Sequence, residues 1–136
     1  MNGTIALDGE LLEGVEERLQ KLSTKLDIRI ITADTHGGAS RLDKYPWANV
    51  HMVAKGAEDS QKAALVRELG SFQTVAIGNG SNDVAMLKEA GLGICVLGPE
   101  GTSVEAVLNS KVFVPNIIDA LDLLLTPNRL VATLRK

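Results

Sequence analysis

The sequence predicts an α/β domain built on a doubly wound parallel sheet, and three observations predict it. Short apolar strand candidates alternate with amphipathic helices along all 136 residues. The loops after those strands are rich in Gly, Asn, Asp and Ser, which suit turns and helix starts. No internal repeat, low-complexity tract or linker-like shift interrupts the rhythm, so residues 1–136 read as one domain. Hydrophobic residues at 45% and charged residues at 23% are the balance of a chain that buries a core.

Residues 10–25 place Leu11, Leu12, Val15, Leu19 and Leu22 at helical spacing with charges between them, predicting a first helix. Next along the chain, Ile28, Ile30, Ile31 and Thr32 suit a buried strand. A polar, Gly-containing stretch then holds a brief helix before Pro46, and residues 49–54 form a second strand. Residues 60–69 read as a strong helix with Asp59 or Ser60 at its N-cap and Gly70 beyond its end. A strand over 73–77 runs into Gly78-Asn79-Gly80, and a helix over 81–90 is closed by Gly91. Strands at 92–98 and 111–114, with helices at 101–108, 117–125 and 128–135, complete the chain.

Strands separated by helices of this length require right-handed crossovers and a sheet covered on both faces. Ligands of such sheets bind beyond the carboxyl ends of the strands. The polar strand ends here are Thr32-Ala33-Asp34 and the run from Gly78 to Asp83. Helix N-termini beside them favour anions such as phosphate.

Composition narrows the partners. Fourteen Lys and Arg against seventeen Asp and Glu leave a net charge of −3, which gives neither nucleic acid nor acidic membranes a field to follow. Aromatic residues at 3% are too few for a base-stacking platform. No apolar run spans a bilayer, and the first ten residues lack a signal-peptide layout. A single cysteine, Cys95, excludes an intramolecular disulfide framework and points to the cytoplasm.

Several side chains are candidates for chemistry. Asn79 and Asp83, four apart across a Gly-flanked strand-to-helix turn, point two oxygen-bearing groups at one spot. Oxygen ligands suit Mg²⁺, which keeps waters and shares substrate phosphates; the same residues also suit a plain turn with Ser81 or Asn82 capping the helix. Thr32 can donate to a phosphate oxygen or sit as a buried strand residue, with Asp34 or Thr35 capping the next turn of chain. Lys62 falls in the first turn of its expected helix, where the dipole opposes a cation, and it can neutralise phosphoryl charge or lie solvated. His36 and His51 fit no metal spacing and read as surface or packing residues. Cys95 reads as core, and the C-terminal helix as packed on the sheet.

The order of these features adds what each lacks singly. Asn2-Gly3-Thr4, then Thr32, then Lys62, then the run 78–83 resembles the haloacid dehalogenase superfamily, and within it the soluble proteins akin to the phosphorylation domain of P-type ATPases. The resemblance extends nearly end to end and implies a phosphatase that works through a phosphoaspartate with Mg²⁺. It makes Thr32 the phosphate-binding hydroxyl and Lys62 the cation that orients and neutralises the phosphoryl group. It makes Asp83 the carboxylate acting on Mg²⁺, with Asn79 where most members have another aspartate. Gly3, Thr4, Thr32, Ala33 and Lys62 surround the phosphate in this reading, and Asn2 stands at the general acid/base position.

Two departures accompany the resemblance. The family's nucleophilic aspartate falls one position before Met1, together with a central first strand, so a gap is expected between the strands at 28–33 and 73–78. Asn2 replaces the acid/base aspartate, and general acid–base catalysis is worth ~10²–10⁴-fold. The spacings between Thr4, Thr32 and Lys62 leave no room for a cap domain, which implies an open site for a bulky substrate or a lid from a neighbouring subunit of a homo-oligomer. The expected function is hydrolysis of a phosphate ester or nucleotide phosphate, impaired in this form. The alternative is a non-catalytic Mg²⁺ or phosphate-binding module. A receiver-type signalling domain is disfavoured, since neither its acidic pair nor its phosphoacceptor pattern occurs.

Overall fold

The computed structural model describes residues 1–33 and 37–136. Asp34, Thr35 and His36, weighed above as caps and a packing histidine, lie outside the described residues. The chain opens with a tight turn over Met1–Ile5 in which the N–H groups of Thr4, Ile5 and Ala6 all donate to the Met1 carbonyl. A two-residue hairpin comes next, β1 (Ala6–Leu7) pairing antiparallel with β2 (Glu10–Leu11). Asp8 (φ 50°) and Gly9 (φ 83°) turn it, the left-handed pair that a two-residue hairpin loop needs.

That hairpin corrects the helix expected over 10–25. The helix α1 spans Val15–Leu22, because Glu10 and Leu11 are held in the hairpin and Gly14 breaks the helical path at φ 82°. After it come β3 (Arg29–Thr32), a single 3₁₀ turn at Ala39–Leu42, β4 (Asn49–Met52) and α2 (Glu58–Leu69). Helix α2 begins two residues earlier than expected, at Glu58, and neither Asp59 nor Ser60 caps it. Lys62 therefore lies in its second turn, clear of the N-terminal N–H groups. Beyond it are β5 (Val75–Gly78), a 3₁₀ turn at Ser81–Asp83, α3 (Val84–Glu89), β6 (Leu92–Val96), α4 (Val104–Leu108), β7 (Val112–Val114), α5 (Ile117–Leu125) and α6 (Pro127–Leu134).

Pairings among β3 to β7 are parallel: β3 with β4, and β5 with β6 with β7. Strand β6 shows how the two faces are covered. Ile94 and Val96 turn into a core with α1, α5 and α6, while Cys95 turns into another with Val66, Met86, Leu87 and Ala106. Strands buried on both sides read as continuous apolar runs, as this one does. Helix α5 is started by the Asn116 side chain, whose Oδ1 accepts the Asp119 N–H at 2.8 Å. It is tied to α1 by Arg18 Nε donating to Asp122 Oδ1, also at 2.8 Å.

Between β3 and β5 no ladder forms, and a largely apolar slot of about 450 Å³ separates the two strands. The strands on either side of the expected gap are thus unpaired with each other. No cap domain occurs among the described residues between Thr32 and Lys62.

Candidate functional site

Among the described residues, the buried polar or charged side chains are Thr4, Thr32, Lys62, Asn79 and Asp83. Burying such groups costs free energy unless each finds partners. Thr32 ends β3, Asn79 and Asp83 follow β5, and Thr4 and Lys62 bond to those two.

The centre is an ion pair. Lys62 Nζ, reaching across from α2, donates to Asp83 Oδ1 at 2.8 Å, and both side chains are under 10% exposed (8% and 9%). The other oxygen, Oδ2, accepts the backbone N–H groups of Asn79 at 2.9 Å and Gly80 at 3.0 Å. The carboxylate can fold back onto the end of β5 because Gly78 has no side chain: a Cβ there would lie 2.6 Å from Asp83. Burial pushes the Asp83 carboxyl up, but the Lys62 ammonium and the N–H groups of Gly80 and Asn79 outweigh it and hold it below the ordinary carboxylate value.

Asn79 is clamped from two sides. The Thr4 hydroxyl donates to its Oδ1 at 2.9 Å, and its Nδ2 donates to the Gly101 carbonyl at 3.1 Å. Its own carbonyl accepts from the Thr102 hydroxyl at 2.9 Å and the Ser103 N–H at 2.8 Å. Gly3 (φ 78°) sits in the same seam, where a Cβ would fall 2.7 Å from Glu100 Oε2 and 3.1 Å from Asn79 Nδ2. Cys95 lies beneath, its sulfur 3.3 Å from the Thr102 hydroxyl, and burial pushes its thiol up.

Of the expected site residues, the structure joins Lys62 to Asp83 and Thr4 to Asn79, with Gly3 alongside. Thr32 is buried at the end of β3. The Met1 ammonium, donating to the Ile31 carbonyl at 3.3 Å, brings the opening turn to that strand end. Ala33 is half-buried just beyond. Asn2 does not join them: it is exposed, and its Oδ1 accepts the Gly9 N–H at 2.9 Å, which fastens the hairpin. The residues that sequence reasoning leaves without a role are Gly101, Thr102 and Ser103, which hold Asn79. Their signal is a Gly-containing polar turn at a strand end, the kind of position where sites form.

Comparison with known proteins bears on the family and the fold. Residues 48–99 match the family of haloacid dehalogenase-like hydrolases. An uncharacterized protein of Methanocaldococcus jannaschii is 48% identical over 84 residues, covering 59% of this chain and 90% of that protein. Among solved structures, the 3-deoxy-D-manno-octulosonate 8-phosphate phosphatase of Moraxella catarrhalis, which holds magnesium and phosphate ions, superposes with a TM-score of 0.62 at 19% identity, covering 88% of this chain and 72% of that one. The catalytic domain of a CPx-type ATPase gives a TM-score of 0.62 at 17% identity, with 88% of this chain and 45% of that one covered. With a buried lysine–aspartate pair and a clamped asparagine at the ends of its parallel strands, the chain belongs to the haloacid dehalogenase-like hydrolases.

Proposed function

We propose that this chain is the core of a Mg²⁺-dependent phosphohydrolase acting on a phosphate ester or a nucleotide phosphate. The observation that carries the reading is the buried Lys62–Asp83 ion pair beyond the end of β5, with Thr4, Thr32 and Asn79 as the other buried polar side chains. A buried ammonium is chemistry for holding phosphoryl oxygens. Lys62 neutralises the transferring group and Thr32 donates its hydroxyl. The N–H groups of Gly3 and Thr4 are used within the opening turn, so their contribution is positional: Thr4 fixes Asn79, and Gly3 leaves the space beside it.

The donor set fits Mg²⁺, which takes oxygen ligands and retains waters. A carboxylate has about four lone-pair sites and an amide oxygen two; Asp83 Oδ1 and Asn79 Oδ1 each have one hydrogen bond. The metal would supply a Lewis acid for a phosphoryl oxygen. With no cap, the site admits a bulky phosphorylated small molecule or nucleotide, or a lid from a second subunit. No helix among the described residues is long and apolar enough to cross a membrane; the lone reduced cysteine favours the cytoplasm.

A second reading, a binding module without turnover, draws on one observation. Asp83, the carboxylate that pairs with Lys62, is committed at both oxygens, and Asn2 faces the hairpin instead. Titration calorimetry with MgCl₂ and with inorganic phosphate tests what the two readings share, and turnover in an aryl-phosphate assay, lost in Lys62→Ala, would exclude the module. Both readings expect binding, Mg²⁺ lost in Asp83→Ala and phosphate lost in Lys62→Ala. For the 136-residue chain itself we expect no turnover above background. Failure to bind either ion removes both readings.

A further inference from the structure

Asn79 meets a partner at each of its backbone and side-chain polar groups, and one of those partners has fixed chemistry. The Gly101 carbonyl, 3.1 Å from the end of the side chain, carries no proton and can only accept. The atom that faces it is therefore the amide nitrogen. That orientation turns Oδ1 towards Thr4, whose hydroxyl donates to it at 2.9 Å, and leaves the oxygen one further lone pair. Backbone crowds the nitrogen from two more sides: a Cβ at Gly3 would lie 3.1 Å from it, and one at Gly98 3.4 Å. The residue is 9% exposed, so water does little to soften these demands.

An ionised aspartate has the shape of asparagine but only acceptors. In the same place one of its oxygens would face the Gly101 carbonyl with no proton between them. A buried acceptor left without a donor pays its full desolvation, and the two oxygens repel. The added charge would also stand uncompensated, because Lys62 already balances Asp83.

The turn that supplies the carbonyl is itself tied down. The Gly101 N–H donates to the Gly98 carbonyl at 2.9 Å, and Gly101 takes φ 87° to close the turn. Thr102, next along, spends its single hydroxyl proton on the Asn79 carbonyl at 2.9 Å. At its 3.3 Å contact with Cys95 the thiol is therefore the donor. Two hydrogen bonds in series thus run from buried Cys95 on β6, through Thr102, to the backbone of Asn79. The Ser103 N–H adds a second bond to the same carbonyl at 2.8 Å.

We propose that the turn between β6 and α4 makes position 79 specific for an amide. The Gly101 carbonyl selects the orientation that presents Oδ1, and Thr102 is a positioning residue that fixes the backbone carrying it. What the presented oxygen serves rests on the Mg²⁺ reading above. On that reading the clamp keeps the metal-free site clear of an unbalanced buried charge, and the cation meets a neutral donor where a carboxylate would hold it more tightly.

The test uses the 136-residue chain, first without metal. By side-chain amide NMR, the Asn79 NH₂ should exchange with water about tenfold or more slowly than those of exposed Asn2 and Asn82. Thr102→Val should speed that exchange, and Thr102→Ser, which keeps the hydroxyl, should leave it slow. Asn79→Asp should lower the metal-free melting temperature near neutral pH by about 5 °C or more. Titration calorimetry should nevertheless show Asn79→Asp binding MgCl₂ about tenfold or more tightly than the parent, since a carboxylate replaces a neutral oxygen. A residue of structural role alone would lose stability without that gain. Thr102→Val should weaken Mg²⁺ binding about tenfold, as changes behind a metal donor do, with Thr102→Ser close to the parent. Asn79 exchange as fast as that of Asn2, or a metal-free Asn79→Asp that melts with the parent, overturns the amide clamp. Thr102→Val with unchanged exchange and unchanged Mg²⁺ binding overturns the positioning role. If the metal-free results hold but Asn79→Asp gains no affinity for Mg²⁺, the clamp stands and the assignment of Asn79 to the metal fails.

Discussion

Asp83 carries more of the site than its single charge suggests, because it satisfies a buried ammonium and two backbone N–H groups at once. Truncating Lys62 leaves that carboxylate buried without its counter-charge, and breaking such a pair costs about 3–5 kcal/mol. Lys62→Ala should therefore show a loss of that order in urea denaturation, far above the ~0.5 kcal/mol typical of a surface lysine. A loss below ~1 kcal/mol would mean that water reaches the pair. The same carboxylate makes a pH prediction. Its value is depressed in the folded state, so its stabilisation is present above the unfolded value and is lost as pH falls below about 4. Melting temperature should drop more steeply with acidification in the parent than in Asp83→Asn, measured by circular dichroism across that range. Equal slopes would assign the acid sensitivity elsewhere.

At the scale of elements, stability comes from packing on β6 and from the start of α5. Asn116→Ala removes the cap from the Asp119 N–H and should cost about 1 kcal/mol. Leu121, 2% exposed on the same helix, faces the core shared with α1, and Leu121→Ala should cost about 2–5 kcal/mol. Calorimetric unfolding of both variants would reverse this ranking only if α5 were peripheral. The elements also show how much of the fold is legible in the residues. The span of α5, Ile117–Leu125, is readable directly from its apolar period and the Pro115 before it. Strands β3 to β7 are readable from short apolar runs between turns. The hairpin β1–β2 is hidden, although Asp8-Gly9 is a strong hairpin dipeptide. Leu11, Leu12 and Val15 continue a helical period across it, and tertiary pairing overrides that local pattern. Thr4, Thr32, Lys62, Asn79 and Asp83, which residue type and order single out as candidates, are the side chains that the fold buries as polar groups. Asn2 escapes because spacing records which residues neighbour a motif and not which way an amide turns.

The whole molecule is unevenly held together. The sheet of β5, β6 and β7 is sandwiched between two helical layers, and its central strand is fully buried from Gly93 to Val96. The β3–β4 pair has no ladder to that sheet; it is joined through the Met1 turn, through the α1-to-β3 connection and by α2. Opening it exposes few apolar side chains beyond Ile30, since the β4 pattern is half-buried or exposed throughout. Segments with little buried apolar surface open at lower free energy than the global transition. Native-state hydrogen exchange should therefore resolve two units. Amides of Val50 to Met52 and Ile30 should exchange through a low-energy opening that is insensitive to denaturant. Those of Ile94 to Val96 should exchange only by global unfolding. Equal protection in the two halves would show that the helices alone couple them.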